Sequence, residues 1–362
     1  MTFITRLQLA WQILFGPPLT GEGETTSRQV AAIAARGLRR PRQLTEQEIK
    51  AVCASALKQA PDTALPTGSV KNGRWPHLIA GMIALLAAGP PAGARDVNCA
   101  ELAAALAAPA GGALRLVEDC GKITARASHS PPLVVDAGRH RVAGLVLAGA
   151  HLDWRGGIIR APKGTAGKGP DGYAISIRGQ HISVAAAEIE LAARGVVIDR
   201  AGGVTVSGLL IREPTVDGIN VANSHRVTIT GNSVISFSTG EIHPDCIQGW
   251  TRAGLSMADV TVTGNFCLGQ MQGIFFGNHL TRQPPDPGFD RITITGNVVA
   301  STYPQGINLS DCRACQLTGN QVRTLPGARH RSSINPVRTT GTICGNTAQG
   351  ADPRRIEVQP CR

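Results

Sequence analysis

Val227-Thr-Ile-Thr-Gly-Asn232 is a phrase that returns along the chain, as Val260-Thr-Val-Thr-Gly-Asn265, Ile292-Thr-Ile-Thr-Gly-Asn297, Cys315-Gln-Leu-Thr-Gly-Asn320 and Thr342-Ile-Cys-Gly-Asn346. Degenerate copies precede it at Val204-Thr-Val-Ser-Gly-Leu209 and Ile182-Ser-Val-Ala-Ala-Ala187. Between the ends of successive copies, from 187 to 346, the steps are 22, 23, 33, 32, 23 and 26 residues, a period just above 20 lengthened by local insertions. Such a period marks a solenoid.

Alternating apolar residues and threonines give a period-two strand, and the Gly that follows tolerates the left-handed backbone of a turn. Stacked coils bring equivalent residues about 4.8 Å apart. Asn232, Asn265, Asn297, Asn320 and Asn346 are therefore expected to form a ladder whose side chains join successive coils. A second strand type recurs between these phrases: Arg194-Gly-Val-Val, Asp217-Gly-Ile-Asn, Asp245-Cys-Ile-Gln, Gln272-Gly-Ile-Phe and Gln305-Gly-Ile-Asn. The offset to the end of the next phrase is 15 residues from 194, from 217 and from 305, so the two strand types keep one register. It lengthens to 20 from Asp245 and 25 from Gln272, which places insertions at 250–258 and 279–289. Insertions on neighbouring coils tend to line one face, often the binding face.

The arrangement resembles the right-handed parallel β-helix of pectate lyases, polygalacturonases, epimerases and phage tailspikes, over about residues 96–350. The expected fold is all-β: a right-handed parallel β-helix solenoid over 95–362, closed at its N-terminal end by a capping helix in the Ala-rich stretch 100–108.

Composition agrees with a narrow, often-turning interior. The chain has 362 residues with 43 Gly but only 7 Phe, 4 Trp and 2 Tyr. Its 42% hydrophobic content is too high for intrinsic disorder, and no continuous apolar run reaches the length of a transmembrane helix. Of the net charge of +11, residues 1–95 carry +6. The small surplus on the remainder suits an acidic substrate or an anionic surface, and equally simple solubility.

Residues 1–70 read as a basic helical leader, either extraneous, with the true start near position 70, or a cytoplasmic segment, with a capping-box pattern at Thr45-Glu46-Gln47-Glu48. No groove-reading motif accompanies it, so no nucleic-acid partner is expected. Lys71 and Arg74, the apolar run 78–89 and the small-residue exit Ala92-Gly93-Ala94 make 71–94 a signal-peptide-like segment. Eight of the nine cysteines lie beyond it, an even number compatible with disulfides in an oxidising compartment. A secreted or periplasmic location is expected. Cys99 and Cys120 flank the capping stretch as a candidate bridge, and Cys312-Arg-Ala-Cys315 suits a disulfide better than half of a zinc site.

The register places Asp217 and Asp245 in one column on consecutive coils, where two close carboxylates shift each other's pKa as acid–base chemistry requires, or bind a divalent cation such as calcium. Gln272 and Gln305 continue that column, and Asn220, Gln248 and Asn308 form a parallel column three residues along. Amides there suit sugar hydroxyls or merely stitch coils together. Glu213, Glu241, His243, Trp250, Arg252, Asn278, His279 and Arg282 gather around the pair in sequence, most of them close to the insertions. Glu241 and His243 are candidate proton carriers, Trp250 a sugar-stacking ring, and Arg252 and Arg282 partners for a uronate carboxylate.

Two narrower resemblances rest on these residues. Val216-Asp217-Gly218-Ile219-Asn220, Pro244-Asp245-Cys246-Ile247 and Gln272-Gly273-Ile274 are similar to the NTDG, DDC and GHG motifs of the polygalacturonase family. That resemblance implies water activation by Asp217 and Asp245. It departs at Pro244, where the family has its general-acid aspartate, at Gln272, where it has histidine, and in lacking an RIK clamp. His243-Pro-Asp245-Cys-Ile-Gln248 with Met271-Gln-Gly-Ile-Phe-Phe-Gly-Asn278 more closely resembles a group of uncharacterised bacterial β-helix proteins carrying HPD-x-IQ and MQGIF-x-GN. That group implies the fold and a glycan context. The expected function is a lyase, epimerase or hydrolase of an acidic polysaccharide, with a non-catalytic glycan-binding solenoid as the alternative.

Overall fold

The computed structural model describes Pro91, residues 93–237, 244–277 and 285–350, and the strand Ile356–Val358. The chain divides into two units, Met1–Ile83 and Ala84–Arg362, and the described residues belong to the second. The helical leader expected over 1–70, and the signal-like segment apart from Pro91, Gly93 and Ala94, lie outside the described residues.

The described strands assemble into three sheets. The first collects the repeat phrases, with Ile182 beside Val204, Val204 beside Val227, Val227 beside Val260, Val262 beside Ile294, Ile294 beside Leu317 and Leu317 beside Ile343. Each pairing is parallel and joins one coil to the next. One coil runs from His225–Thr230 in the first sheet through Ser233–Ser236 in the second to Asp245–Trp250 in the third, and returns to the first at Met257–Thr263. This is a parallel β-helix. Within each strand the alternation sorts the residues: Val227 and Ile229 are fully buried inside, while Thr228 and Thr230 stand half-buried outside.

Val, Ile and Leu fill the bore; the largest fully buried side chains are Trp154, Phe276 and Phe289. The helix Cys99–Ala107 closes the N-terminal end, and Leu102 and Leu106 are its buried residues. Asn98 caps it reciprocally: Glu101 N–H donates to Asn98 Oδ1 at 2.9 Å and Asn98 N–H donates to Glu101 Oε2 at 2.9 Å. The Cys99–Cys120 disulfide fastens this cap. No helix among the described residues is long and apolar enough to cross a membrane.

The asparagine ladder forms between consecutive coils. Asn232, Asn265, Asn297 and Asn320 each donate their main-chain N–H to the side-chain oxygen of the next asparagine at 2.9–3.0 Å. Their amide nitrogens donate to carbonyls of earlier strands, Asn265 to Ile229 and Asn297 to Val262 at 2.9 Å. All five asparagines are at most 1% exposed, so the ladder satisfies polar groups that the turn would otherwise bury without partners. The preceding glycines carry the turn, Gly231 at φ 62° and Gly345 at φ 66°.

Candidate active site

The third sheet carries the second strand type. Tyr173, Arg194, Asp217, Asp245 and Gln272 follow one another as ladder partners on consecutive coils. Asn220, Gln248, Phe275, Asn308 and Asn335 form the next column. Both columns face outward because the pairing passes over the residue between them. Asp217 pairs with Asp245 and Ile219 with Ile247, while Gly218 and Cys246 fall between. A Cβ on Gly218 would sit 2.6 Å from Val234 Cγ1 and from the Cys246 carbonyl oxygen, so this position turns inward against the packed bore. Positions 218 and 219 thus both point in, and 217 and 220 both point out.

Cys246 occupies that inward column, and its disulfide to Cys267 ties the site strand to the second sheet. Both sulfurs belong to fully buried residues. A covalent cross-brace therefore sits directly beside Asp245.

Asp217 and Asp245 are 2% and 1% exposed. Arg194 Nε donates to Asp217 Oδ2 at 2.6 Å, and the guanidinium carbon lies 5.7 Å from the Tyr173 ring centre. Asn220 Nδ2 donates to Asp217 Oδ2 at 3.3 Å and to Gln248 Oε1 at 2.6 Å. Gln248 Nε2 donates to Asp245 Oδ2 at 2.7 Å, and Trp250 Nε1 donates to Asn220 Oδ1 at 3.0 Å. The two amides that the sequence left between sugar contact and coil stitching thus bracket the carboxylates and orient the indole. Arg252 lies over Trp250, its guanidinium carbon 4.7 Å from the ring centre.

Burial, and next the charge of Asp217, pushes the Asp245 carboxyl up to about 8. Burial also pushes Asp217 up, opposed by the adjacent Arg194 guanidinium. The cation contacts only Asp217, so the two carboxyls sit in unequal environments, and burial keeps the proton on Asp245 through neutral pH. Asp245 Oδ1 and Gln272 Oε1, on adjacent rungs, are buried acceptors with no hydrogen-bond partner among the described residues. Two orphaned oxygens of this kind call for a donor, which a protonated Asp245 or a ligand hydroxyl supplies.

A calcium ion takes 6–8 oxygen ligands. No group of three or more His, Cys, Asp or Glu gathers among the described residues, and Asp217 is already held by Arg194.

Of the residues singled out in sequence, Asp217, Asp245, Asn220, Gln248, Trp250, Arg252 and Gln272 lie on one sheet face or its adjoining loop. Glu241, His243, Asn278 and Arg282 lie outside the described residues, as does His279. Sequence reasoning missed Tyr173, although it precedes Arg194 by 21 residues, one coil. It also missed Phe275, which stands three residues after Gln272 as Asn220 stands after Asp217. Cys312 and Cys315 form a disulfide with each other.

Fold and site together define a parallel β-helix protein with a buried acid pair on its third sheet. No protein-family model matches the chain, and no curated protein does. Among solved structures it is similar to an alginate lyase from Paenibacillus sp. str. FPU-7, at 14% identity and a TM-score of 0.27, over 71% of this chain and 97% of that one.

Proposed function

We propose that this chain is an exported, polysaccharide-active β-helix protein that carries out proton transfer on an acidic, uronate-containing glycan. The observation that carries this reading is the asymmetric carboxylate pair: neighbours in one ladder, one held by Arg194 and the other kept protonated by burial. Two acids in unequal environments are the arrangement by which enzymes assign donor and acceptor roles. Asp245 is the proton donor. Asp217, oriented by Arg194 and Asn220, is the carboxylate that takes or stabilises charge. Glu241 and His243 complete the proton-handling set, and Trp250, Arg252, Gln272, Asn278 and Arg282 the substrate contacts. Hydrolysis of a glycosidic bond uses such a pair, and lyase and epimerase chemistry needs a proton acceptor and a proton donor of the kind it offers. The three disulfides among the described residues support an oxidising compartment outside the cytosol, which N-terminal sequencing of the exported chain tests.

The near-complete burial of both carboxylates favours one second reading, a glycan-binding solenoid without turnover. Polygalacturonate and alginate, assayed by unsaturated-product absorbance and by reducing ends, separate the two. Turnover by wild type that disappears in Asp245→Asn and Asp217→Asn supports the enzyme. Binding of a uronan with equal affinity by wild type and both variants, and product from none of them, overturns it.

A further inference from the structure

The outer face of the third sheet holds a ring that neither the carboxylates nor the amides account for. Phe275 pairs with Gln248 on one coil and Asn308 on the next, so it stands in the amide column without an amide. Its chain neighbours Ile274 and Phe276 are fully buried in the bore, whereas Phe275 faces outward and is half-buried. The ring lies across Gly277, where any Cβ would collide with Phe275 Cε1. Gly277 follows the ladder partner of Gly249 and so comes level with Trp250. The Phe275 ring therefore reaches the level of the Trp250 main chain on the preceding coil, about 4.8 Å away, while the indole of Trp250 donates to Asn220 one coil further back.

The amides of the neighbouring column are already engaged. Asn220 and Gln248 bond each other and the carboxylates, and Asn308 donates to the Phe276 carbonyl and to Ser310 Oγ. What this part of the face leaves outward is apolar ring surface and the exposed guanidinium of Arg252, which has no carboxylate partner among the described residues. An outward apolar ring on the same face as an exposed cation with no carboxylate partner among the described residues matches a sugar that bears a C–H face and a carboxylate. An aliphatic anion lacks the flat face, and a neutral sugar lacks the charge.

We propose that Phe275, seated by Gly277 beside Trp250, forms with Arg252 a subsite for one uronate residue, with the C–H face of the pyranose on the Phe275 ring and its carboxylate on Arg252. This rests on the acidic-glycan reading above and adds the residue that grips the ring.

The test is equilibrium binding of alginate and polygalacturonate, with neutral dextran as control, in the Asp245→Asn background so that turnover does not intrude. Phe275→Ala is expected to weaken uronan binding about tenfold, the scale of one aromatic contact. Phe275→Trp is expected to stay near the parent, and Gly277→Ala, which keeps the ring but displaces it, to lose part of the affinity. Thermal unfolding of each variant separates a lost contact from a lost fold. Uronan binding that is unchanged in Phe275→Ala overturns the subsite and leaves the wider function standing. Failure of the wild type to bind either uronan removes both.

Discussion

Arg194 and Asp217 are partners on adjacent coils, and the 2.6 Å contact from Nε to Oδ2 is the ion pair that reaches the acid pair. The Asp217 side chain is 3% exposed, so its charge depends on that guanidinium. Arg194→Met leaves a buried carboxylate uncompensated and is expected to destabilise the protein by about 3 kcal/mol in urea unfolding. Adding Asp217→Asn removes the stranded charge and is expected to restore much of the loss. Additive losses in the double variant show that the pair is not coupled.

Asp245 keeps its proton to about pH 8 in the folded chain, whereas an unfolded aspartate releases it near about pH 4. Between those values the native state binds the extra proton, so stability falls as pH rises, by about 1.4 kcal/mol per pH unit, and levels off above about 8. Asp245→Asn carries no charge and sets an amide donor where Oδ1 has none, beside the unpartnered Gln272 Oε1. It is expected to melt higher than wild type at about pH 9 and close to it at about pH 4.5. An unchanged difference across that range excludes the buried proton.

The asparagine ladder is expected to be cooperative along the coils. Asn297 Oδ1 accepts from the main chain and the amide of Asn265, while its own amide donates to Val262 O and Asn320 Oδ1. Asn297→Ala leaves several buried groups unpaired and is expected to cost about 3 kcal/mol, read by chemical denaturation. Thr228→Ala, on the outer face, is expected to change stability by about 0.5 kcal/mol or less.

The Cys246–Cys267 bridge closes a loop of 21 residues beside Asp245. Chain-entropy arguments assign about 3 kcal/mol to a loop of this size. Cys267→Ala is therefore expected to lower the melting temperature, and the wild type to fall at least as far under strong reductant, which also opens the Cys99–Cys120 and Cys312–Cys315 bridges. A reductant-insensitive melt shows that the bridge does not brace the coil.

Much of the architecture was legible in the chain because a solenoid repeats one backbone conformation, so that local spacing becomes spatial register. The 15-residue offset from Asp217 to Asn232 places both residues in their columns without any knowledge of distant contacts. The expected capping helix at 100–108 appears as Cys99–Ala107, since its capping box and Leu spacing are local too. The neighbouring pair Asp217 and Asp245 follows from the same period.

Other features lie across the repeat and leave no mark on its period. That Asn220 and Gln248 hold carboxylates, that Arg194 serves Asp217 alone, and that Cys246 bridges to Cys267 are decided by which way each side chain leaves the strand. Strict alternation would set positions 217 and 220 on opposite faces, yet the skipped inward residue at 218 brings them to the same one. The order of the coils, the asparagine ladder and the carboxylate column can be read from spacing alone, because these follow from a fixed number of residues per turn. The proton on Asp245, the orphaned oxygens beside it and the outward ring of Phe275 emerge only in the folded chain, because burial and facing depend on how neighbouring coils pack.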